Sequence, residues 1–462
     1  MPVAVGSSGA RSGRPVALPR SHDERYCGAY SFGVRPRSAF ATIALVAVVV
    51  LVARAGLDTT PERPPAAPPA LLLGVSNDGG TRSLARIAPV SLRPLPGRRI
   101  RLRAPLEGWA LSPGGSRLAA VSERASLLHL IDVGRMRTLG RISTRAHGSR
   151  AAVVWPRPDR LWIVLTRPAQ GSTTVVAVDP IAQLVVARRR LAGGLLRVAA
   201  SADGPVLLLA PSGVIGPARL VTVDTAGGVG EVPLDGLSAG GMPTEGLASV
   251  ERVRTPALAV DAGRRRAYVL SWRPHAVEID LRRRRVTGHP LVARASPLDR
   301  LRELLEPSAA ASVQVGVVRR AAWIGDGRIA LSGYGADVVW HPQGALEAER
   351  RPAGLHVIDT HDWSVHTLDE RASSFVAAAG LLLTSGPGGH GLAAYSPDGR
   401  DTFHVLGDRH VEVVATAGSL AYVRAPPEPA LQVVDVTRGR VIGTSAPGRA
   451  TLLFEGVAAG WK

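Results

Sequence analysis

A short apolar run that ends in aspartate returns along most of this chain, and few folds accommodate such a pattern. LLHLID closes at Asp132, VVAVD at Asp179, LVTVD at Asp224, AVEID at Asp280, LHVID at Asp359 and LQVVD at Asp435. The residue before the aspartate is Ile or Val in every one of these copies. Weaker copies end at Pro89 (LARIAP) and at Ser396 (LAAYS, followed by PDG). Most steps are roughly 40–50 residues, the span of a unit of four strands. An aspartate at the end of a strand accepts backbone N–H groups of the following residues, so each is expected to cap a hairpin turn. Each copy is also preceded by a hairpin pattern: Leu111–Val121 (LSPGGSRLAAV), Ala257–Leu270 and Ala321–Leu331 are two apolar runs split by Gly- or Arg-rich turns. A further strand follows the aspartate, as at Arg137–Ile142.

Four antiparallel strands per unit, repeated radially, predict an all-β chain folded as a β-propeller of four-stranded blades. The first unit, from Leu71 to Leu95, starts at what aligns with a second strand, and Ala450–Phe454 near the C-terminus is the natural supplier of the missing first strand. This arithmetic gives eight blades, with seven as the alternative. The unit SPGGSRLAAVSERASLLHLIDV (112–133) resembles the repeat of YVTN-type, lactonase-like bacterial β-propellers. The resemblance extends over residues 71–462 and implies the fold. It implies no single activity, because propellers of this type include binding proteins and several enzymes.

Upstream of the repeats, residues 38–57 read as a single N-terminal transmembrane helix. Ser38–Ala53 (SAFATIALVAVVVLVA) carries no charge, with Arg37 before it and Arg54 after it. Sixteen helical residues span ~24 Å, and a snorkelling Arg54 extends the stretch to Leu57, close to the ~30 Å hydrocarbon thickness. Residues 1–37 form a basic tail with Arg11, Arg14, Arg20, Arg25, Arg35 and Arg37 against Asp23 and Glu24. Positive charge stays in the cytoplasm, so residues 71–462 are expected outside the cell membrane on a single-pass anchor. The competing reading is a signal sequence cleaved near Ala55, which would leave the protein secreted. Residues 58–70 (DTTPERPPAAPPA) form a Pro-rich, semi-rigid linker.

Strand order sorts the connections onto two faces. The long insertions 235–256, 292–319 and 332–353 all fall on one face, where long loops on a rigid scaffold commonly carry function. The second contains a predicted short helix over Pro297–Leu305, capped by Ser296. Trp272, His275, Tyr334, Trp340 and His341 lie in or beside these connections and form the expected binding face for an unknown protein or small ligand. On the opposite face, Arg264, Arg265 and Arg266 sit in one turn and Arg282, Arg283, Arg284 and Arg285 in another. That face joins the linker, so these arginines are expected to look toward anionic lipid.

The net charge is +19, yet all but one of the 56 basic residues are arginine, the exception being Lys462. This is the composition that codon drift produces in a very GC-rich genome. Aromatics make up only 4% of the chain, too few to interleave with the cations for base stacking, so nucleic acid is not an expected partner. The one cysteine, Cys27, excludes an internal disulfide and a cysteine-based metal site. His356, His361 and His366 are spaced by neither helical nor strand periodicity, and His356 occupies the repeat position of His129, so it reads as a strand residue and not a metal ligand. The chain offers no phosphate loop, nucleophile elbow or HExxH motif, and its eight tryptophans do not recur in register as quinone-docking motifs would. No cofactor and no catalytic residue is therefore expected. A ligand- or protein-binding scaffold is the favoured reading, with a lactonase-like hydrolase or lyase at the channel mouth as the alternative.

Overall fold

The computed structural model describes residues 72–78, 81–122, 126–148, 150–167, 171–244, 247–271, 274–293, 313–340, 346–428, 430–445 and 451–452. These form strands and turns, with no helix among the described residues. The anchor, the basic tail, the linker and the helix expected over Pro297–Leu305 lie outside them.

The strands follow one another as antiparallel meanders. The first contains β1 (Leu72–Asp78), β2 (Thr81–Ile87) and β3 (Ile100–Leu102). Next come β4 (Leu106–Leu111), β5 (Arg117–Ser122), β6 (Leu127–Asp132) and β7 (Arg137–Ser143). They are followed by β8 (Arg150–Arg157), β9 (Arg160–Arg167), β10 (Ser172–Asp179) and β11 (Leu184–Ala192). The next meander holds β12 (Gly194–Ala200), β13 (Pro205–Ala210), β14 (Ile215–Val223) and β15 (Val229–Thr244). Strand β16 (Leu247–Thr255) leads into β17 (Ala257–Asp261), β18 (Arg266–Leu270), β19 (His275–Asp280) and β20 (Arg285–Pro290). The short β21 (Val292–Ala293) precedes β22 (Val313–Gly325), β23 (Arg328–Trp340), β24 (Leu346–Pro352), β25 (Leu355–Asp359) and β26 (Ser364–Asp369). Then come β27 (Ser374–Ala378), β28 (Leu381–Ser385), β29 (Leu392–Tyr395) and β30 (Asp401–Val405). The last meander is β31 (Glu412–Ala417), β32 (Leu420–Arg424), β33 (Leu431–Asp435) and β34 (Arg440–Thr444), and β35 (Thr451–Leu452) ends the described chain.

The architecture is an all-β propeller of four-stranded blades. The first strands of consecutive meanders contact one another at the centre of the ring. The middles of second strands are apolar because a neighbouring blade covers each of their faces: PVLLLA of β13 is buried along its whole length, as is Leu161–Leu165 of β9. Fourth strands are the outer edge, and RVTGHP of β20 is almost wholly exposed. The apolar clusters accordingly lie between blades. One joins Leu128, Leu130 and Ile142 to Trp155, Ile163 and Val176. Another joins Ala257, Tyr268 and Leu270 to Ile329, Leu331 and Ile358.

The ring closes as the sequence predicts. Leu452 and Thr451 of β35 pair antiparallel with Val75 and Ser76 of β1, completing a sheet of order β3-β2-β1-β35. Ile87 and Leu92 of the first meander pack with Tyr422 and Val433 of the last, and the Tyr422 hydroxyl donates to the Pro89 carbonyl at 2.9 Å. The aspartates perform the expected capping. Asp179 Oδ1 accepts N–H groups of Ile181 and Ala182, Asp280 those of Arg282 and Arg283, and Asp435 those of Thr437 and Arg438. Asp132, Asp224 and Asp359 cap in the same way.

The division into sheets corrects the expectation of eight, or alternatively seven, separate four-stranded blades. Six sheets are four-stranded, and the seventh is an eleven-stranded sheet that runs β12-β13-β14-β15-β16-β22-β23-β25-β26-β21 with β24 on β23. Two meanders are fused in it because β16 and β22 overrun their blades and pair in parallel, Val253 with Gly316 and Thr255 with Val318. The β17–β20 meander between them in sequence remains a sheet of its own.

Candidate functional site

Two of the three insertions read as long loops are largely sheet among the described residues. Residues 235–244 form the far half of β15 and residues 247–255 form β16, which pair Gly240 with Arg254 and Met242 with Arg252. Residues 332–340 form the far half of β23 and residues 346–352 form β24, paired from Trp340–Leu346 to Tyr334–Pro352. The Gly-rich stretch LSAGGM suggested loop, but β15 crosses it at an irregularity opposite Pro217/Ala218 and then resumes pairing. A tight approach at Gly333 lets β22 and β23 run on together: a Cβ there would lie 2.0 Å from the Val318 carbonyl oxygen. The result is a wall of paired strands built from two of those insertions.

At the foot of this wall, an arginine of one inner strand reaches the backbone of another. The Arg197 guanidinium on β12 donates from Nη2 to the Arg319 carbonyl on β22 at 2.6 Å and from Nη1 to the Leu196 carbonyl at 3.0 Å. Its Nε–H is buried and has no hydrogen-bond partner. A buried donor left unsatisfied costs about 1–3 kcal/mol. Burial, reinforced by the charge of Arg320, pulls Arg197 down to about 10, and burial also lowers Arg319. None of Arg197, Arg319 and Arg320 forms an ion pair with a carboxylate among the described residues. Tyr334, opposite Val318 in the β22–β23 register, lies close enough for its phenol to act electrostatically on Arg197.

His356 lines the same region from β25, opposite Leu331. Its Nε2 meets the Ala353 carbonyl at 2.7 Å, so Nε2 carries the proton, and Nδ1 accepts from the Thr367 hydroxyl at 3.0 Å. Burial, with Arg319 nearby, holds this imidazole below its ordinary pKa, although Glu370 acts in the opposite sense. It is a neutral, satisfied strand histidine, as the repeat position predicted. Among the described residues no group of His, Cys, Asp and Glu is arranged to hold a metal ion.

The structure does not gather the five residues singled out from sequence. Tyr334 lies on β23 opposite Val318 of β22. His275 opens β19, the third strand of its blade, and its ring covers Gly288 of β20, two strands away from the inner strand β17. Trp340 ends β23, while Trp272 and His341 lie outside the described residues. Sequence reasoning missed Arg197 and Arg319. The available signal was an arginine within an otherwise apolar inner strand (GLLRVAA), easily lost in a chain so rich in arginine.

The arginine-rich turns are where the repeat placed them. Arg264 and Arg265 lie between β17 and β18, where Arg266 opens β18; Arg282–Arg284 lie between β19 and β20, where Arg285 opens β20. Their charges are partly answered: Arg266 meets Glu278 at 2.7 Å, Arg265 meets Asp203 at 3.4 Å and Arg264 meets Asp261 at 3.8 Å.

No protein-family model matches this chain, and no curated protein does. Solved structures are similar in fold. The dihydro-heme d1 dehydrogenase NirN in complex with DHE aligns over 88% of this chain and 78% of its own, with TM-score 0.50 and 13% identity. AztD from Citrobacter koseri aligns over 82% and 95%, with TM-score 0.40 and 12% identity. BamB from Moraxella catarrhalis aligns over 76% and 92%, with TM-score 0.39 and 11% identity. The likeness to NirN, at 13% identity, is one of fold alone.

Proposed function

We propose that this protein is a membrane-anchored, extracytoplasmic β-propeller that binds a ligand or partner at its strand-walled face and performs no catalysis itself. The observation that carries this reading is the wall of β15, β16, β22, β23 and β24. Two of the three long insertions of the repeat are spent on paired strands beside the inner strands. Recognition needs side chains held on such a framework. The basic group at its foot, Arg197, stays protonated and makes a poor general base. This favours binding over the lactonase-like alternative. The YVTN-type repeat supports an extracytoplasmic propeller, and the basic tail before the apolar segment 38–57 supports an outward-facing C-terminal domain. In that topology the turns at Arg264–Arg266 and Arg282–Arg285 lie toward the lipid surface.

The test is a photo-crosslinking amino acid placed in living cells at Tyr334, on the wall, and at Ile181, an exposed turn residue between β10 and β11. A discrete adduct at position 334 and none at 181 is expected. Absence of an adduct at 334, or equal adducts at both, would overturn the reading.

A further inference from the structure

One sector of the ring carries almost all of the propeller's positive charge. Residues 81–192 hold 20 arginines against five carboxylates, a net +15, whereas residues 193–462 hold 28 basic residues against 27 acidic ones, a net +1. Codon drift acts on the whole chain, so it does not explain a net charge confined to one part of it. We infer that the outer rim of this sector, formed by β3, β7 and β11 of three consecutive meanders, binds a linear polymer that carries a phosphate in each repeat. This surface is separate from the strand wall, and the inference does not rest on the reading of that wall.

Fourth strands are the outer edge of the blades, so charge on them looks outward. Arg98, Arg101 and Arg103 lie on or beside β3, Arg141 on β7, Arg145 just after it and Arg190 on β11. All six are exposed, and none meets a carboxylate among the described residues. An outermost strand is open to solvent on both faces, so strand alternation does not hide its side chains: Arg188, Arg189 and Arg190 are consecutive and each is exposed. The edges of neighbouring blades adjoin. The Gln183 amide donates to the Leu139 carbonyl of β7 at 3.3 Å, and the Arg188 guanidinium donates to the Thr144 carbonyl just after β7. Arg86 of β2 likewise donates to the Val133 carbonyl of the next meander at 3.3 Å. The carboxylates of these turns are already engaged: Asp132 and Asp179 cap them, and Asp132 also answers Arg135 and Arg137. A chain with a charge in each repeat meets several such cations at once and releases their counterions. The guanidinium fork fits phosphate oxygens, which a tetrahedral phosphate presents in several directions. The rim of a ring is convex; a flexible chain follows it, whereas a flat bilayer touches it only along a narrow line. The aromatics of this segment are Trp109, Trp155 and Trp162, and none is exposed, so the polymer is read by its charge and not by stacking.

The experiment is fluorescence polarisation of end-labelled, long-chain inorganic polyphosphate with full-length protein in detergent, repeated in rising sodium chloride. Saturable binding is expected, with the logarithm of the affinity falling linearly with the logarithm of the salt concentration. Replacing Arg101, Arg103, Arg141 and Arg145 together by Gln should weaken binding about tenfold or more and flatten that salt dependence. Replacing Arg282, Arg283, Arg284 and Arg285 by Gln removes the same charge from another part of the ring and should leave the affinity within about twofold. If the first quadruple variant does not fold, the pairs Arg101→Gln with Arg103→Gln and Arg141→Gln with Arg145→Gln decide, each expected to lose about threefold. Absence of saturable binding, an unchanged affinity in the rim variants, or an equal loss in the Arg282–Arg285 variant overturns the inference. Binding of poly-glutamate of matched charge as tightly as polyphosphate also overturns it, and would make the rim a surface for an acidic protein. Loss of phosphatidylserine-vesicle binding in the rim variants with polyphosphate binding intact overturns it in favour of lipid.

Discussion

The imidazole of His390 donates from Nε2 to Asp369 at 2.7 Å while its Nδ1 faces the Gly391 carbonyl at 3.2 Å. Both ring nitrogens meet acceptors, so this histidine is held as the imidazolium. Asp369 also receives the Thr384 hydroxyl at 2.7 Å and the Arg371 N–H at 2.9 Å. The two side chains are only 4% and 5% exposed. This buried pair ties the end of β26 to the loop between β28 and β29.

A pH window of stability follows from that pair. The hydrogen bond to Asp369 raises His390, so its contribution is complete below an unfolded pKa of about 6.5 and is lost as pH rises through the folded value. Burial alone would raise Asp369, but the hydrogen bonds from His390 and Thr384 outweigh it and hold the carboxyl low. Its contribution is therefore present above about 4 and lost as pH falls through the folded value. Wild type should be most stabilised by the pair between about pH 4 and 6.5. Asp369→Ala leaves a buried cation and should cost about 3 kcal/mol at pH 6. His390→Gln should flatten the dependence between pH 6 and 8. Urea denaturation across this range measures both, and an unchanged slope in His390→Gln would contradict the argument.

The capping aspartates give a local prediction. Asp435 accepts the N–H groups of Thr437 and Arg438 and the Thr437 hydroxyl at 2.7 Å. Asp435→Ala should lose about 1–2 kcal/mol, and Asp435→Asn, which keeps an acceptor oxygen, should lose less. Chemical denaturation of the two variants side by side reads the difference.

These turns were legible in the sequence because their physics is local. Ile or Val followed by Asp, then a turn, needs nothing beyond a few residues, and pairing of Thr451–Leu452 with β1 follows from counting strands. The strand wall was not legible: LSAGGM and the residues after Leu331 carry loop-forming glycines, and only their pairing with distant strands makes them sheet. The meeting of Arg197 with Arg319 was hidden for the same reason. It depends on which inner strands adjoin in the ring, and compositional drift toward arginine masks the residues that matter.

The close approach at Gly333 should be intolerant of a side chain. Gly333 has φ +156°, and an added Cβ would sit 2.0 Å from the Val318 carbonyl oxygen, so the β22–β23 pairing beside Tyr334 would have to open. Gly333→Ala should cost about 2 kcal/mol or more. Gly236→Ala, where a Cβ meets nothing within 4 Å, should be close to neutral. Thermal unfolding of the two variants checks the contrast.

Closure of the ring makes the C-terminal strand indispensable out of proportion to its size. Without Thr451 and Leu452, β1 presents unpaired N–H and C=O groups at Val75 and Ser76, an open edge that invites pairing with another chain. A chain ending at Gly448 should unfold at lower temperature and elute partly as oligomers on size exclusion, whereas one ending at Lys462 should remain a single species.

The charge on the far face predicts salt-sensitive membrane attraction of limited strength. Each arginine near an anionic surface contributes up to ~1 kcal/mol, screened within a Debye length. Arg264, Arg265 and Arg266 already face Asp261, Asp203 and Glu278, so they should contribute less than the turn at Arg282–Arg285. A soluble fragment of residues 71–462 should therefore sediment with phosphatidylserine vesicles at low salt and be released as salt rises. Replacing Arg282, Arg283, Arg284 and Arg285 by Gln should abolish most of that binding, and replacing Arg264, Arg265 and Arg266 should reduce it modestly. Equal losses in the two sets would mean that the ion pairs open at the lipid surface. Indifference of the fragment to anionic vesicles would show that the arginines are an ordinary solvated face.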